Sequence, residues 1–462
     1  MSASEQPYDK RLLLSQEVGA WLRAELQDYP MSSPIYLAFS GGLDSTVLLH
    51  CLCQFPNLKS RLTLLHVHHG LSVHADRWQQ HCQQQAKQYA LPIVCQRVVV
   101  DAKAHGIEAA ARQARYEAFT QQIGDEGVLL TAHHADDQLE TFLQRWLRGS
   151  GLQGLGAMRV RRPLVSKPAL NAAMVSHALS PCLLRPLLSH SRSTLELYAQ
   201  QHRLVWIHDE SNDDQRWTRN WWRHELLPRI WARYPQQKMA ALRSIEQLQH
   251  DQQVLTHLLQ PYVAQVMRSV TWPNTACWAL DLRSLYALDK VLQPYVLRAW
   301  WQHVQLPSLS QRLLLQWLQQ LQAENDRQPS WPLADGVLQR HQHMCYWYRP
   351  VTKIPERVRL TRQDDIPWAG GTVRYRHSGD TPTEEYYLVA AESITERSLR
   401  PYQRPRKTFK QIFQEHQIPP WLRSAWPVLV DENGQVVSVV GLAVDHATQQ
   451  HQPLVSHYDW QP

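Results

Sequence analysis

The sequence has no pair of cysteines at CxxC spacing, and its seven cysteines are an odd number. This argues against a disulfide framework and against a cysteine zinc site, and it fits a reducing compartment. The opening stretch MSASEQPYDKRLLLSQEVGAWL contains acidic residues and no long apolar core, so it predicts an amphipathic helix instead of a signal peptide. The most apolar late stretch, VVSVVGLAV, is too short to cross a bilayer. We therefore expect a cytoplasmic protein with no membrane partner.

Internal repeats are also absent, and 462 residues are enough for about three domains. Alternating strand and helix patterns predict an α/β fold with a Rossmann-like parallel sheet, which we assign to residues 1–225. Helical periodicity then replaces the strand signals and predicts a helical middle domain at 226–348. After a proline-containing linker, short strands, a basic helix and the hairpin signal Asn433-Gly434 predict a small α+β C-terminal domain at 357–462.

The predicted sheet sets where a ligand would bind. Ligands of parallel sheets lie at the carboxyl ends of the strands, beside helix N-termini, so the residues that follow each strand are the candidate site. We predict strands at Ile35–Phe39, Leu62–Val67, Ile93–Val100 and Gly127–Thr131, and helices at Ser45–Leu52, Ala75–Tyr89, Glu108–Gln122 and Asp137–Leu147.

The stretch SGGLDS stands between the first strand and the first helix of this pattern. Its glycines let backbone amides approach phosphate oxygens, the helix N-terminus adds partial positive charge, and its two serine hydroxyls can donate hydrogen bonds. The lysine of a Walker loop is missing, and Asp44 fits as a helix N-cap or as a Mg²⁺ ligand. The stretch resembles the PP-loop of the ATP pyrophosphatases, which split ATP between its α and β phosphates. This implies an ATP site made of Ser40, Gly41, Gly42, Leu43, Asp44 and Ser45.

Three further patterns follow later strands. LTLLHVHHGL places His66 and His68 on one face at a strand end. GIEAAARQARYEAF brings Arg112 and Arg115 together on a helix, where Glu108 can pair with Arg112 on an ordinary solvated face. HHADDQLETF gathers three acids, Asp136, Asp137 and Glu140, at a helix start. These acids fit a well-capped helix, or a negative pocket for Mg²⁺ or for the ammonium group of a cationic substrate.

A fourth pattern, DESNDDQRWTRNWWRHELLP, carries Arg219, Asn220 and Arg223. Together with RGSGLQGL at 148–155 and LLRPLL at 183–188, and in this order, the patterns resemble those of the tRNA(Ile)-lysidine synthetases. The resemblance covers most of the chain. It implies that ATP, with Mg²⁺, adenylates the C2 carbonyl oxygen of the wobble cytidine in an isoleucine tRNA with a CAU anticodon. The ε-amine of free L-lysine then displaces AMP.

The resemblance also implies roles for individual residues. Asp44, Arg112, Asp137 and Glu140 are expected to be catalytic, and Asp44 to hold the metal. His66 and Arg112 are expected at the ATP, His66 beside the adenine. The lysine or tRNA substrate is expected at Asp136, Asp137, Glu140, Arg115, Arg219, Asn220 and Arg223. The family leaves a monomer and a homodimer equally open.

The charge distribution agrees with a nucleic-acid partner. The formal net charge is +7, and the 12 basic residues between Arg159 and Arg233 outnumber six acidic ones. Six basic residues between Arg397 and Lys410 have no acid among them, and Tyr402, Trp421 and Trp426 flank them as candidate stacking groups. A solvated surface is the alternative for both stretches.

Other functions fit less well. A PP-loop sulfur transferase needs a persulfide cysteine or iron–sulfur ligands, whereas Cys51 and Cys53 fall inside an apolar helix and predict buried structural thiols. A glutamine-dependent amide synthetase needs an N-terminal cysteine, and residue 2 is serine. A non-catalytic RNA-binding module needs neither SGGLDS nor DDQLET.

Overall fold

The computed structural model describes residues 10–70, 72–100, 107–124, 127–164, 181–208, 218–270, 272, 275, 278–304, 306, 309–322, 329–333, 336–351, 353–360, 365–375, 386–401, 404–445 and 458–461. The chain divides into two compact units. Unit 1 comprises Met1–Lys167 with Val175–His257, and unit 2 comprises Pro168–Met174 with Leu258–Pro462. No helix within the described ranges is long and apolar enough to cross a membrane.

Unit 1 is built on a mainly parallel sheet. Its strands are β1 (Ile35–Ala38), β2 (Leu62–His68), β3 (Ile93–Arg97), β4 (Val128–Leu130), β5 (Arg161–Pro163) and β6 (Cys182–Leu184). They are ordered β3-β2-β1-β4-β6-β5, and β5 pairs antiparallel to β6 at one edge. The carboxyl ends of β1, β2, β4 and β6 therefore meet at one edge of the sheet, where ligands of such folds bind.

Helices cover both faces of this sheet. They are α1 (Lys10–Glu25), α2 (Leu43–Cys53), α3 (Pro56–Lys59), α4 (Ala75–Gln88), α5 (Ile107–Ile123), α6 (Ala135–Leu147), α7 (Leu152–Leu155), α8 (Arg192–Gln201), α9 (Thr218–Trp221), α10 (Leu227–Arg233) and α11 (Gln237–Val266). Successive strand residues belong to different apolar clusters: Leu64 packs with α1, α2 and α8, whereas Leu65 packs with α5. The alternation buries the sheet on both sides, as the parallel pattern predicts.

The predicted elements of unit 1 are confirmed with small shifts. The strand bounds differ from the prediction by a few residues, and α2 and α6 each begin two residues earlier than predicted. Strands β5 and β6 and helix α8 were not predicted. Each of these two strands has three residues, and β5 is exposed and polar, so neither gives a periodic signal.

Unit 2 begins with a helical region that also contains an unpredicted sheet. Its helices are α12 (Leu282–Tyr286), α13 (Gln293–His303) and α14 (Gln311–Leu321), which agree with the helical periodicity of the middle of the sequence. They accompany β7 (Met267–Ser269), β8 (Trp278–Asp281), β9 (Ser330–Leu333), β10 (Gly336–His341) and β11 (Met344–Tyr348), which form an antiparallel sheet in the order β7-β8-β11-β10-β9. Tryptophans pack this region: the Trp317 ring lies 5.1 Å from Trp301 and 4.6 Å from Trp331, centroid to centroid.

The remainder of unit 2 is the predicted α+β region. Its elements are β12 (Val358–Arg359), β13 (Ile366–Trp368), β14 (Gly371–Tyr375), β15 (Tyr387–Ala390), β16 (Ser398–Leu399), β17 (Lys407–Thr408), α15 (Phe409–Glu415), α16 (Pro420–Arg423), β18 (Pro427–Val430), β19 (Val436–Val439), β20 (Ala443–Val444) and β21 (Tyr458–Gln461). The predicted hairpin at Asn433-Gly434 is confirmed, because β18 and β19 pair antiparallel around it.

Two of the three aromatic residues suggested as stacking groups already have partners within the protein. Trp426 is buried, and its indole N–H donates to the Val440 carbonyl at 3.0 Å. Trp421 already stacks on Tyr348, with ring centroids 4.4 Å apart and 6° between the planes. Tyr402 lies outside the described residues. Trp426 is therefore a core residue, and Trp421 holds α16 against β11.

The apolar cluster under β1 predicts how unit 1 responds to truncation. Leu48 on α2 is fully buried, whereas Leu13 on α1 is 45% exposed. We expect Leu48→Ala to cost about 2–5 kcal/mol and Leu13→Ala less than about 1 kcal/mol, because only the first leaves a cavity. Hydrogen-exchange mass spectrometry of peptides from β1 and β4 measures the difference. Equal exchange rates in the two variants would contradict this packing.

Candidate active site

The loop after β1 forms a compact turn at the carboxyl edge of the sheet. Gly42 is the N-cap of α2, so Asp44 lies in the first helical turn and the N-cap interpretation of Asp44 is wrong. The Ser40 and Ser45 hydroxyl oxygens lie 3.1 Å apart, and Ser45 Oγ donates to the Gly42 carbonyl at 3.0 Å. The two hydroxyls thus lie beside the first turn of α2, where backbone amides have no partner within the helix, and this arrangement suits an anion.

Gly41 holds this turn in a conformation that other residues rarely adopt. Its φ is +79°, and a Cβ at this position would lie 3.0 Å from Cys82 Sγ and 3.1 Å from Ile207 Cδ1. Its carbonyl accepts a hydrogen bond from the Ile207 amide at 2.8 Å. Glycine is therefore needed here for two reasons. The backbone is left-handed, and α4 and the segment after α8 lie too close for a side chain.

The histidines after β2 have partners within the protein. His66 is buried, and its Nδ1 lies 3.0 Å from the Phe39 carbonyl, which directly precedes the loop. Burial lowers the pKa of His66, so the neutral ring donates this hydrogen bond. His68 Nε2 lies 3.2 Å from Asp76 Oδ1. His66 is thus placed to support the strand that leads into the loop; its predicted contact with adenine stays a prediction.

His134 connects the loop to the acidic cluster of α6. Its ring is fully buried, with Nε2 3.7 Å from Asp44 Oδ2 and 3.6 Å from Asp137 Oδ2, and Nδ1 3.9 Å from Asp136 Oδ2. Neither ring nitrogen has a hydrogen-bond partner. The sequence suggested Asp44 and the α6 acids from separate patterns, and the fold places all three of these carboxylates around one imidazole.

Cationic groups from distant parts of unit 1 meet the same acids. Arg223 lies in a π-helical turn, Trp222–Leu226, between α9 and α10. It donates from Nε to Glu140 Oε1 at 2.7 Å and from an Nη to Asp137 Oδ1 at 3.0 Å. On α11, Lys238 Nζ lies 2.5 Å from Asp136 Oδ1, whose other oxygen accepts from the Arg192 amide at 2.9 Å. The site is therefore a mixed network of both signs, instead of the purely negative pocket suggested by the sequence.

Asp44 and Asp136 differ in how far neighbouring positive charges offset the cost of burying a carboxylate. Burial raises the pKa of Asp44, against the opposing influence of His134 and Arg192. Burial also acts to raise the pKa of Asp136, but the Arg192 amide and the Lys238 ammonium outweigh it and bring the net pKa below its ordinary value. Asp136 is thus a stable carboxylate, whereas Asp44 lacks a full counter-charge.

Asp44 fits the metal role that the PP-loop resemblance implies. Its Oδ1 is buried and has no hydrogen-bond partner, so it is a carboxylate oxygen free for a cation. No group of three or more His, Cys, Asp or Glu side chains in the described residues is arranged to hold a metal alone. Mg²⁺ commonly takes one or two carboxylates and completes its shell with water and substrate phosphates, which suits a single aspartate beside a phosphate loop.

The remaining predicted residues lie in different surroundings. Arg115 is exposed and donates from Nε to His69 Nε2 at 3.2 Å. Arg112 lies over the Tyr116 ring at 5.1 Å. Asn220 is buried in α9, and the side chain of its neighbour Arg219 falls outside the described residues, as does that of Glu108. Lys238 and Arg192 were not predicted at the site, since a lone basic residue on a polar helix carries no distinguishing signal.

The two cysteines of α2 are not reactive thiolates at neutral pH. Cys51 is fully buried and Cys53 half-buried on α2, and both are free. Burial raises the pKa of Cys51 to about 12 and that of Cys53 to about 11, so neither is a thiolate at neutral pH. The prediction of structural thiols near the loop is confirmed.

Comparison with known proteins identifies the family. A PP-loop domain family matches residues 17–230, a TilS substrate binding domain matches 280–346, and a TilS substrate C-terminal domain matches 393–460. The tRNA(Ile)-lysidine synthase of Haemophilus influenzae strain PittEE is 34% identical over 88% of this chain and 94% of its own length. The chain belongs to the tRNA(Ile)-lysidine synthase family. Synthases from Pectobacterium atrosepticum and Pseudomonas aeruginosa are also 34% identical, over 92% and 94% of this chain.

This membership confirms the family predicted from the sequence patterns. As a tRNA(Ile)-lysidine synthase family enzyme, the chain is a ligase that uses ATP and modifies tRNA. The match to the PP-loop domain includes the turn at 40–45, and the His134-linked network adjoins that turn. The relatives are matched over almost their whole length, so both units of this chain belong to the enzyme.

The left-handed conformation of Gly41 predicts that a side chain at this position weakens nucleotide binding. Gly41→Ala adds about 1–2 kcal/mol of backbone strain and a contact with Cys82 inside the loop. We expect the dissociation constant for ATP, measured by calorimetry, to rise at least about tenfold. Gly124→Ala is the matched control, because Gly124 has φ +65° and no atom within 4 Å of the added Cβ. Unchanged ATP affinity in the Gly41 variant would refute the phosphate role of the turn.

Loss of the buried ion pair between Arg223 and Glu140 should destabilise the protein more than loss of the exposed pair between Arg229 and Glu225. Glu140 is 1% exposed, so Arg223→Met leaves a buried charge with no guanidinium, at a cost of about 3–5 kcal/mol. Adding Glu140→Gln to that variant should recover part of the loss. Arg229→Met, which breaks an exposed pair with Glu225, should cost less than about 1 kcal/mol. Pulse proteolysis in urea gives the three values, and equal costs for Arg223 and Arg229 would show that the buried pair is unimportant.

Proposed function

We propose that this enzyme joins free L-lysine to C2 of the wobble cytidine in an isoleucine tRNA with a CAU anticodon. The single observation that carries the proposal is a phosphate loop linked through His134 to a network of acids and cations. The loop suits ATP, and the network suits an amino acid, because a free amino acid presents an ammonium and a carboxylate side by side. The relatives' name supplies the tRNA and the lysidine product.

The first step would activate the base. The cytidine C2 carbonyl oxygen attacks the α-phosphorus of ATP, the bond to the β-phosphate oxygen breaks, and pyrophosphate leaves. Ser40, Ser45 and the first-turn amides of α2 would hold the phosphates. Mg²⁺, held through Asp44, would neutralise charge on the departing pyrophosphate. Arg112 remains our candidate for a further contact to ATP.

The second step would use the neutral ε-amine of lysine. Its lone pair attacks C2, the C2–O bond to the adenylate breaks, AMP leaves with that oxygen, and one proton is lost from nitrogen. In the structure Arg223 pairs with Asp137 and Glu140, and Lys238 pairs with Asp136. We infer that the ε-ammonium of lysine contacts Asp137 or Glu140, while the α-carboxylate contacts Arg223 or Lys238. Asp137 or Glu140 is then the proton acceptor.

A PP-loop sulfur transferase is the second candidate that the loop alone allows. It would need a thiolate or cluster ligands near the loop. The cysteines closest to the loop in sequence, Cys51 and Cys53, have raised pKa values because they are buried. Lysine transfer is therefore the better fit to the described residues.

The other parts of the chain would bind the tRNA. We assign residues 1–225 to catalysis, to which Lys238 on α11 also contributes, and 226–348 and 357–462 to tRNA binding. We expect a monomer or homodimer in the cytoplasm, where tRNA circulates. The basic run at 397–410 supports this in part. Arg406 pairs with Glu396 and Lys407 with Glu415, so a subset of its charges is already compensated.

A two-readout assay tests the role of the acids. With an isoleucine tRNA transcript, pyrophosphate release reports activation, and incorporation of labelled lysine reports transfer. We expect Asp137→Asn to lower lysine incorporation about 10²–10⁴-fold and to change pyrophosphate release much less, because it removes a proton acceptor but keeps the side-chain shape.

Glu117→Gln is the matched control for that assay, since Glu117 is an exposed acid on α5. It should leave both readouts within about twofold. Full lysine incorporation by Asp137→Asn would exclude the proposed role. Stimulation of wild-type turnover by sulfide but not by lysine would favour the sulfur transferase.

A further inference from the structure

A second group of cations lies in unit 1 outside the network just described. We call it the arginine cluster: Arg112 on α5, Arg145 and Arg148 at the end of α6, Arg162 on β5, and Arg185 directly after β6. Tyr116 stands at its centre, with the Arg112 guanidinium 5.1 Å and the Arg162 guanidinium 5.8 Å from its ring centroid. Two arginines from separate elements thus flank one aromatic ring.

The described side chains give the arginine cluster no counter-charge. No ion pair joins any of its five members to a carboxylate in the described part of the chain. Burial lowers the pKa of Arg145, and the neighbouring charges of Arg112 and Arg148 lower it further. Like charges that act on one another repel, so a bound anion would stabilise the arrangement.

Arg185 is the strongest sign that a ligand completes the cluster. It is only 4% exposed, and an Nη donates to the Arg159 carbonyl at 2.5 Å, yet its Nε has no partner. A buried guanidinium N–H without an acceptor is costly. Arg145 is fixed in turn by donating to the Gly154 and Ala157 carbonyls at 3.0 and 2.7 Å, which anchors the glycine-containing segment around α7 beside the cluster.

We propose that the arginine cluster is a second phosphate site, and that it holds a phosphodiester of the tRNA strand beside the target base. The proposal rests on tRNA being the substrate. ATP phosphates share the same chemistry, and Arg112 is also our candidate for a contact to ATP, but the loop before α2 is the proposed site of the triphosphate and leaves the other four arginines for a second phosphate. The arginines whose charges act on Asp44 are Arg192 and Arg223, which are not members of the cluster. Guanidinium groups around an aromatic ring suit a polynucleotide, which offers phosphates next to stackable bases.

The test neutralises two exposed members, Arg148 and Arg162, and measures the binding of RNA and of nucleotide separately. Arg148→Gln with Arg162→Gln removes two charges and keeps Arg112 and the buried Arg185. Arg77→Gln with Lys87→Gln removes two exposed charges from α4 and is the matched control. Binding of the tRNA transcript is titrated at several salt concentrations by filter retention, and binding of ATP is measured by calorimetry without tRNA.

We expect the cluster variant to raise the dissociation constant for tRNA about tenfold at 0.15 M salt. The slope of log affinity against log salt should fall by about one to two, as loss of one or two phosphate contacts requires. ATP affinity should stay within about twofold of wild type.

Two results would overturn the proposal. One is a tRNA affinity and salt slope equal to those of the α4 control. The other is weakened ATP binding with unchanged tRNA binding, which would assign the cluster to the nucleotide triphosphate. Circular dichroism melting of both variants confirms that each is folded. Because these readouts need no lysine, the lysine proposal can fail in wild type while the phosphate site stands, and the reverse also holds.

Discussion

The ion pair between Arg223 and Glu140 is the constraint on which the candidate site depends. Glu140 is almost fully buried, and a carboxylate in that position is tolerated only with a well-placed cation. Arg223 meets this need from a residue 83 positions away. Its π-helical turn widens the backbone between α9 and α10 at the point where the guanidinium enters the site. The pair therefore fixes where α6 and the Arg223 segment stand relative to each other.

His134 extends this constraint to the PP-loop. Because its ring is buried between carboxylates of α2 and α6, the position of Asp44 depends on the position of Asp137, and Arg223 in turn orients Asp137. A change at the acids is thereby transmitted to the phosphate loop through one side chain. In the proposed mechanism, this coupling would tie the binding of the nucleophile to the release of pyrophosphate.

Sequence patterns alone predict those parts of the site whose residues lie close together in the chain. A short apolar run followed by SGGLDS predicts a strand, a turn and a helix because the glycines, the cap and the buried face all lie within a few residues. The acids of α6 were recognisable for the same reason. Their partners were not: Lys238 is 102 residues from Asp136, and on α11 it has the appearance of any solvated lysine. Only the folded structure shows that cationic side chains of unit 1 already pair with the acids of this pocket.

The middle of the chain shows a different limit. Strand β10 contains Gln339, Arg340 and His341, so its sequence does not alternate between apolar and polar residues. Arg340 is nevertheless buried, because its guanidinium donates to the carbonyls of Leu321 and Gln342. A rule based on the periodicity of hydrophobic residues cannot predict a buried arginine whose N–H groups donate to backbone carbonyls. The unpredicted sheet follows from such tertiary hydrogen bonds.

The two groups of arginines in unit 1 make a final contrast. Arg223 and its acids form a compensated network, which is the arrangement expected where a small zwitterion exchanges with internal partners. Among the described residues, the arginine cluster around Tyr116 has no such compensation, which is the arrangement expected where a polyanion supplies the counter-charge. Under the two proposals, the charge pattern of unit 1 separates two ligands: a small amino acid binds at the compensated network, and an extended phosphate chain binds at the arginine cluster.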